Sequence, residues 1–291
     1  MESEAENQGV TLYINPIGYY AVRAMLALEF KNIPFNLCFI KTTNMEHLQP
    51  WFVKLNPHAK IPVMVHRKRA ISDSRQILEY IDSELQGSGK LYPEKGSAEW
   101  KRVQDFQDLI DSFYMGDLVG GCYKYPAYVP EPDPGPMDHD ACTRVYKYHN
   151  ESIRYAKEMA AKHPELKEIY ETKSSKTPLC NPTEDDFQDL LRHLQGIFDF
   201  AESELKSSQD RGRLYIVGDK FSAGDIYLLV FLKFLGFLGF SSYWRSGNHP
   251  FLERYFEEMQ KLPSCSKILN DYEARTTVQK KSVVSAEQHK M

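Results

Sequence analysis

The sequence predicts an α/β domain followed by an all-helical domain. In residues 10–86, short β-prone runs alternate with segments that have helical apolar spacing. Gly, Pro and Ser are concentrated in residues 87–97, and almost no strand pattern follows residue 98. A chain of 291 residues is long enough for two domains with separate cores. We therefore expect an α/β domain at 10–86, a linker at 87–97 and a helical domain at 98–273.

The first half of the α/β domain has the pattern of a strand, a helix and a second strand. TLYI (11–14) is a short β-prone run, AVRAMLALEFK (21–31) has helical spacing, and FNLCFI (35–40) is a second β-prone run. EHLQPWFVKL (46–55) is a short helical segment. A strand, a helix and another strand in this order predict a right-handed crossover.

The second half of this domain has the pattern of a hairpin and a final helix. IPVMVH (61–66) and RAIS (69–72) are brief strands separated by Arg67 and Lys68, which predicts a hairpin at the edge of the sheet. Asp73 or Ser74 then caps a helix, SRQILEYIDSEL, whose apolar residues repeat at helical spacing. The predicted order is βαβαββα, which is a compact α/β module.

The second domain contains segments whose apolar residues repeat at helical spacing, so we expect it to be all-helical. The segments are residues 100–121, 144–173, 185–205, 223–240 and 249–262. PAYVPEPDPGPMDHD (126–140) has five prolines and four acidic residues, too many for a helix. We expect a loop there, within an insertion at 124–183.

Composition excludes several classes of site and partner. The formal net charge of −4 gives no overall attraction for nucleic acid or anionic lipid. The five cysteines are scattered and never form a CxxC pair, which argues against a metal site or a disulfide framework and fits a reducing compartment. The most apolar stretch, 228–240, is shorter than the roughly 20 residues that cross a bilayer, so it predicts a buried helix and no transmembrane segment.

Both ends of the chain are polar. The acidic leader at 1–9 is neither a secretory signal nor a basic transit peptide, and the end of the chain at 274–291 carries no lipidation signal. We expect both segments to be disordered. With no address or anchor in the sequence, we expect a cytoplasmic protein.

Two features of the α/β domain suit an extended peptide ligand. A cis bond between Ile61 and Pro62, at the start of the predicted edge strand, would turn the N–H and C=O of Ile61 outward. The start of the last helix, at Asp73 and Ser74, offers a hydroxyl and unpaired N–H groups, which suit a carboxylate. Proline at a strand edge and Asp-Ser before a helix are also ordinary structural features, so this alternative remains open.

Two basic residues complete the candidate site. Lys60 adds a cation next to the strand, and His47 can approach from the preceding helix. Lone Lys and His residues are usually only solvated, so each alone says little. Together with Ile61, Pro62 and the Asp-Ser pair, they would hold a short peptide with a carboxylate at each end.

These motifs resemble those of the cytosolic glutathione S-transferase superfamily, over nearly the whole chain. The family's thioredoxin-like N-terminal domain carries a cis-proline turn and an acidic-Ser pair that opens the third helix; here these are Lys60-Ile61-Pro62 and Asp73-Ser74. The resemblance implies that glutathione is the ligand. It also identifies GDKFSAGDI (218–226) as the N-capping box of the central helix in the C-terminal domain.

Three C-terminal segments are similar to one group within the superfamily. AAKHPELKEIYETK (160–173), KFLGF (233–237) and YWRSGNHPFLERYF (243–256) resemble the ganglioside-induced differentiation-associated protein 1 group and related bacterial glutathione-dependent dehalogenases. The long insertion agrees with this. Animal members of the group usually end in a mitochondrial tail anchor, and no such segment is found here, although the resemblance leaves association with the mitochondrial surface open.

The family's thiol-activating residue is usually Tyr or Ser, and some members use Cys. In INPIGYYAVRAM (14–25) there is no Ser or Cys, and counting back from Arg23 places Tyr19 at the activating position. Tyr13 lies on the first strand, and both Tyr13 and Tyr20 have the alternative role of core aromatics. We expect Tyr19 to polarise the glutathione thiol so that thiolate is available near neutral pH.

The resemblance implies a second substrate, a small electrophile, between the domains. Residues of the helix after the linker are spaced to present an apolar face there. Tyr114 and Tyr123 are the candidate contacts, whereas Met115 and Leu118 favour interhelical packing; Cys122 lies on the same face. Packing is also the alternative for the whole group.

Two functions follow from the resemblance. The first is an enzyme of the detoxification type that conjugates or reduces a small electrophile with glutathione. The second is a weakly catalytic or non-catalytic regulatory protein on the same fold, which the missing Ser or Cys favours. The family is mostly dimeric, so a homodimer is implied, but the acidic loop at 126–140 is placed to obstruct it.

Overall fold

The structure is a computed structural model that describes residues 9–15, 18–131, 139–175, 181–245 and 247–288, with the backbone alone for 139–146 and 276–288. The chain divides into two compact units. One comprises the residues up to Lys90 together with those from Gln260 onward, and the other comprises Leu91–Met259. The first unit contains a sheet with helices and the second is helical, so the predicted fold class is confirmed.

The first unit is built on a four-stranded sheet in the order β2-β1-β3-β4. Its elements are β1 Val10–Ile14, α1 Tyr19–Phe30, β2 Phe35–Phe39, α2 Pro50–Leu55, β3 Val63–His66, β4 Arg69–Ser72 and α3 Ser74–Glu84. Strands β1 and β2 are parallel, and β3 is antiparallel to both β1 and β4. This is the predicted order βαβαββα.

One prediction about the sheet is wrong. The strand expected at 61–66 begins only at Val63, which pairs with Tyr13 of β1 and with Ser72 of β4. Strand β3 is therefore an inner strand, and the edges of the sheet are β2 and β4. Ile61 and Pro62 precede β3, because Pro62 has no N–H to donate to a neighbouring strand.

The hairpin between β3 and β4 closes in a tight turn. Arg67 and Lys68 both have positive φ, at 48° and 64°. A two-residue turn with two positive φ angles matches the right-handed twist of the strands, although it usually carries Asn-Gly. Because this turn fixes the β3–β4 register, it also fixes where Asp73 lies relative to Pro62.

The last helix, α12, belongs to the first unit. It runs from Pro263 to Gln288, packs on α1, and pairs the Lys267 Nζ with the Glu29 carboxylate at 2.8 Å. The Arg275 guanidinium lies 3.8 Å from the Met25 Sδ. Helix therefore replaces the predicted disorder over 274–288. The leader at 1–8 and residues 289–291 lie outside the described residues.

The second unit contains the remaining helices. They are α4 Ala98–Ser112, α5 Met115–Lys124, α6 His139–Lys162, α7 Lys167–Ser174, α8 Glu184–Gln209, α9 Ala223–Phe237, α10 Ser242–Arg245 and α11 Pro250–Lys261, whose last two residues already belong to the first unit. The segment predicted as one helix at 100–121 is two, with the break at Phe113 and Tyr114. Pro164 similarly divides 144–173. Of the predicted loop at 126–140, residues 132–138 lie outside the described part of the chain.

Helix α9 is the centre of the second unit. Its residues from Ala223 to Leu232 are all buried, as predicted for the apolar stretch. Asp225 is fully buried and its carboxylate accepts hydrogen bonds from the Ser222 N–H and hydroxyl, the Ile216 N–H and the Tyr255 hydroxyl, at 2.8 to 3.0 Å. Burial raises the pKa of Asp225 from 3.8 to about 6. The predicted capping pair is thus part of the core.

Candidate functional site

The β3–β4 register brings two predicted motifs together. Val63 pairs with Ser72, so Pro62 and Asp73 are the next neighbours along the two strands. The peptide bond between Ile61 and Pro62 is cis, as expected. Val63 also pairs with Tyr13, which places the end of β1 beside the same turn. One end of the sheet therefore carries the proline turn and the start of α3.

Asn56 holds the loop that leads into the proline turn. Its side chain is buried; the amide Nδ2 donates to the Lys60 carbonyl at 2.8 Å and Oδ1 accepts from the His58 N–H at 3.1 Å. Its carbonyl accepts from the Ala59 N–H, where φ is +46°. The role of Asn56 in this loop was not predicted from the sequence. The only signal was a polar residue directly before Pro57, which also occurs in ordinary turns.

The backbone of Ile61 offers a donor and an acceptor. Neither its N–H nor its carbonyl bonds to another residue of the described ranges. The side chain of the preceding Lys60 is exposed. An extended peptide can pair with such an open backbone segment while a cation holds its carboxylate.

Asp73 and Ser74 begin α3 in different ways. Asp73 has φ +80° and its Oδ1 accepts from the N–H groups of Arg75, at 2.9 Å, and Gln76, at 3.3 Å. It is therefore the N-cap. Ser74 is the first helical residue and is buried, yet its hydroxyl has no hydrogen-bond partner among the described residues. The Asp73 carboxylate thus accepts from two of the N–H groups at the start of α3, and the Ser74 hydroxyl remains available to a ligand or to water.

His47 lies in a different position from the predicted one. The helix expected at 46–55 begins only at Pro50, and His47 is in a 3₁₀ turn, Glu46–Leu48, that precedes it. The side chain is buried, at 8% exposure. Pro50 explains the late start, because proline favours the first position of a helix.

Tyr19 is the first residue of α1 and is buried. Its hydroxyl accepts a hydrogen bond from Arg23, one helical turn later, and the guanidinium carbon of Arg23 lies 4.6 Å from the centre of the Tyr19 ring. A phenol that accepts from a guanidinium still carries its own proton, which it can donate to a thiolate.

The two neighbouring tyrosines differ. Tyr13 packs against Trp51 and Phe52, with ring centroids 6.0 and 6.5 Å away, and burial raises its pKa, as does the nearby Cys38. It is a packing residue. Tyr20 is 39% exposed, so the alternative of a core aromatic is wrong for this residue.

The residues expected to contact a second substrate fall into two groups. Met115, Leu118 and Cys122 are buried, so they are packing residues. Burial also raises the pKa of the Cys122 thiol to about 12, which makes this thiol unreactive near neutral pH. Tyr114 is 40% exposed and Tyr123 is half-buried. Only the two tyrosines keep surface that a small molecule could reach.

Comparison with known proteins shows which family the chain resembles along its length. The profile of the glutathione S-transferase N-terminal domain matches residues 19–84, and that of the C-terminal domain matches 159–263. Ganglioside-induced differentiation-associated protein 1-like 1 from Homo sapiens is 30% identical over 279 residues, which cover 91% of this chain and 74% of that protein. The chain belongs to the glutathione S-transferase family. Its first unit has the family's thioredoxin-like fold.

Two further similarities support membership of the glutathione S-transferase family. Glutathione S-transferase TCHQD from Arabidopsis thaliana is 24% identical over 266 residues, which cover 90% of each chain. The structure of yeast Ure2p in complex with glutathione has a TM-score of 0.63 and 14% identity, with 90% of this chain and 94% of that chain covered. Because the sequence identity to Ure2p is only 14%, this structural similarity shows the fold alone.

The described residues contain no group of three or more His, Cys, Asp or Glu side chains that could hold a metal ion. Nor does any helix within the described ranges have the length and apolar character that a membrane span requires.

Proposed function

We propose that this glutathione S-transferase family member binds glutathione at the end of its sheet and uses the thiol to conjugate or reduce a small electrophile. The observation that carries the proposal is the Ser74 hydroxyl. Ser74 is a 6% exposed residue at the start of α3, next to the proline turn, and its hydroxyl bonds to no other described residue. The hydroxyl is not fully enclosed by protein, so a ligand carboxylate can reach it and accept its hydrogen bond in place of water.

Charge assigns each end of the tripeptide. The Asp73 carboxylate repels a carboxylate but attracts the ammonium of the γ-glutamyl group, whose carboxylate takes the Ser74 hydroxyl and N–H. Strand-like pairing with the Ile61 backbone holds the cysteinyl residue, and Lys60 binds the glycine carboxylate. A solved structure with the same fold, that of yeast Ure2p, is in complex with glutathione, which supports the choice of ligand.

Both reactions require a thiolate. In reduction, two glutathione molecules form a disulfide and their two electrons and two protons pass to the electrophile. In conjugation the thiolate sulfur forms a bond to the electrophilic carbon, the leaving group departs with the bonding electron pair, and the thiol proton passes to solvent. Tyr19 stabilises the thiolate by donating its hydroxyl proton in a hydrogen bond. Tyr114 and Tyr123 are proposed to contact the electrophile, and His47 is proposed to contribute to the glutathione site.

Calorimetric titration with glutathione tests binding, and a conjugation assay with an activated aryl chloride tests catalysis. We expect glutathione to bind and Tyr19→Phe to lower the rate at least tenfold with unchanged affinity. Tyr20→Phe, which removes the neighbouring exposed hydroxyl, is the matched control and should leave the rate unchanged. Absence of glutathione binding would exclude the whole proposal, and equal rates for the two variants would exclude the role of Tyr19.

A second candidate function is a regulatory module that binds glutathione with little or no catalysis. The observation that favours it is the contact between Arg23 and the Tyr19 hydroxyl, because that contact holds the phenol in place inside the protein. Glutathione binding without conjugation of any aryl chloride by the parent protein would select this candidate.

The remaining proposals follow from family membership. They are a role in detoxification, a cytoplasmic location and a homodimer. Sedimentation equilibrium tests the dimer, and shortening the loop at 126–140 tests whether that loop limits association. A monomer at micromolar concentration in both forms would exclude the dimer.

A further inference from the structure

A small open cavity lies within the helical unit. It has a volume of about 150 Å³ and is lined by side chains of α4 and α8 and by Ile216 and Val217, which precede α9. We propose that this cavity binds a small aromatic cation, that is, a compound with one aromatic ring and an ammonium or amidinium group. This site is separate from the proposed glutathione site in chemistry, because glutathione is an anion without an aromatic ring.

The walls of the cavity are aromatic and aliphatic. The rings of Phe106 and Phe200 are stacked, with centroids 6.3 Å apart and an interplanar angle of 22°. Phe200 is 45% exposed, which is unusual for a phenylalanine in the middle of a helix. Its open face can stack on a further ring or receive a cation.

The base of the cavity is fixed to the core. Ile216 and Val217 are almost fully buried, and the Ile216 N–H donates to the Asp225 carboxylate at 2.9 Å. A methyl group added at Gly224 would lie 3.1 Å from the Ile216 side chain, so α9 packs closely beneath it. The cavity is therefore formed before a ligand arrives, which reduces the entropic cost of binding.

The charges of the cavity favour a cation. The Arg102 guanidinium pairs with the Glu204 carboxylate across α4 and α8, so this positive charge is already neutralised. Asp105 is exposed and has neither a hydrogen bond nor an ion pair with the other described residues. Two carboxylates and one guanidinium leave one net negative charge, which attracts cations and repels anions.

The volume limits the size of the ligand. A cavity of about 150 Å³ accommodates a ring of the size of benzene. The charged group of the ligand would then lie at the open side, near Asp105. Benzamidine has this shape, and its planar amidinium can form two parallel hydrogen bonds with one carboxylate.

Titration of the full chain with benzamidine, followed by amide chemical shifts in NMR spectra, tests the proposal. We expect a dissociation constant of about 1 mM, as is usual for a ligand of this size, with the largest shifts at Phe106, Phe200 and Val217. Neutral benzamide should bind about threefold more weakly, and anionic benzoate should not bind at 10-fold higher concentration, roughly 10 mM.

Three variants identify the groups involved. Phe200→Ala should weaken benzamidine binding about tenfold and Asp105→Asn about threefold, whereas Glu257→Gln, an exposed acid on α11, should have no effect. Far-UV circular dichroism verifies folding; if Phe200→Ala does not fold, the comparison of benzamidine with benzamide and benzoate in the parent decides. Equal binding of benzoate, unchanged affinity in both variants, or no shifts at these residues would overturn the proposal.

Discussion

The same two residue types, aspartate and serine, begin a helix in each unit, but they do so in different ways. At α9, the Asp225 carboxylate is fully buried and accepts four hydrogen bonds, two of them from Ser222. At α3, Asp73 is exposed and caps two N–H groups, and the Ser74 hydroxyl has no partner among the described residues. In the first arrangement the polar side-chain atoms have partners within the protein, whereas in the second the serine hydroxyl remains open to solvent or to a ligand.

The difference shows how to separate a structural cap from a binding cap. Sequence alone predicts an N-terminus for both helices, because both have an acceptor side chain at the right position. What distinguishes them is whether every polar atom already has a partner. Variants at the start of α9 should therefore lower the stability of the fold, whereas variants at the start of α3 should lower the affinity for glutathione.

The largest expected effect is on stability at α9. Asp225→Ala removes the acceptor of four hydrogen bonds and leaves the buried donors of Ile216, Ser222 and Tyr255 unsatisfied. The free energy of unfolding should therefore fall by about 4 kcal/mol. Urea titration followed by circular dichroism measures it. Asp73→Ala, the matched control, should cost about 1 kcal/mol. Similar costs for both would contradict the comparison.

The next effect is a pH dependence of stability. Because burial raises the pKa of Asp225 from 3.8 to about 6, the folded state holds the proton more tightly than the unfolded state. Its contribution to stability is full below about pH 4 and is lost as the pH rises through 6. Relative to Asp225→Asn, the parent should lose about 2 kcal/mol between pH 4 and 7. Urea titrations at several pH values measure this; a constant difference would disprove it.

At α3 the expected effect is on binding. Ser74→Ala removes the hydroxyl proposed to hold the γ-glutamyl carboxylate, so glutathione affinity should fall about tenfold, or about 1.4 kcal/mol. The free energy of unfolding should change by less than about 0.5 kcal/mol. Ser222→Ala is the matched control and should show the opposite pattern. Calorimetry measures the glutathione affinity of both variants and urea titration measures their free energy of unfolding. A large loss of stability in Ser74→Ala would show that Ser74 has a structural role, which would contradict the comparison.

The smallest expected effect comes from Lys60. Its side chain is exposed, so its proposed pairing with the glycine carboxylate is screened by water and salt. Lys60→Ala should weaken glutathione binding about twofold to threefold at low salt and less at high salt. Lys54→Ala, an exposed lysine on α2, serves as the control. If the loss of affinity in Lys60→Ala does not depend on salt, the Lys60 ammonium does not bind the glycine carboxylate through its charge.

Much of the fold could be predicted because its signals are local. The alternation of β-prone and helical segments gives the α/β unit, and the apolar run at 228–240 gives the buried α9. The missed features depend on contacts between distant residues. Helix α12 has few apolar residues after Tyr272, and only its packing on α1 shows that it belongs to the first unit. The break between α4 and α5 has neither Gly nor Pro to mark it.

The candidate site divides in the same way. Asp73, Ser74 and the proline turn are local patterns, and the strand register then brings them together. The burial of His47, the loop held by Asn56 and the exposure of Tyr20 depend on the surrounding structure. The contact between Arg23 and Tyr19 could have been predicted, because the residues are four apart on one helix.

The placement of α12 has a consequence for synthesis of the chain on the ribosome. The sheet and its first helices are translated early, but the helix that covers α1 is made only after all of Leu91–Met259. The second unit is complete in sequence before the first is. We expect the apolar residues of α1 that α12 covers to be open throughout that interval, so a nascent chain in this state should be recognised by chaperones that bind exposed apolar segments.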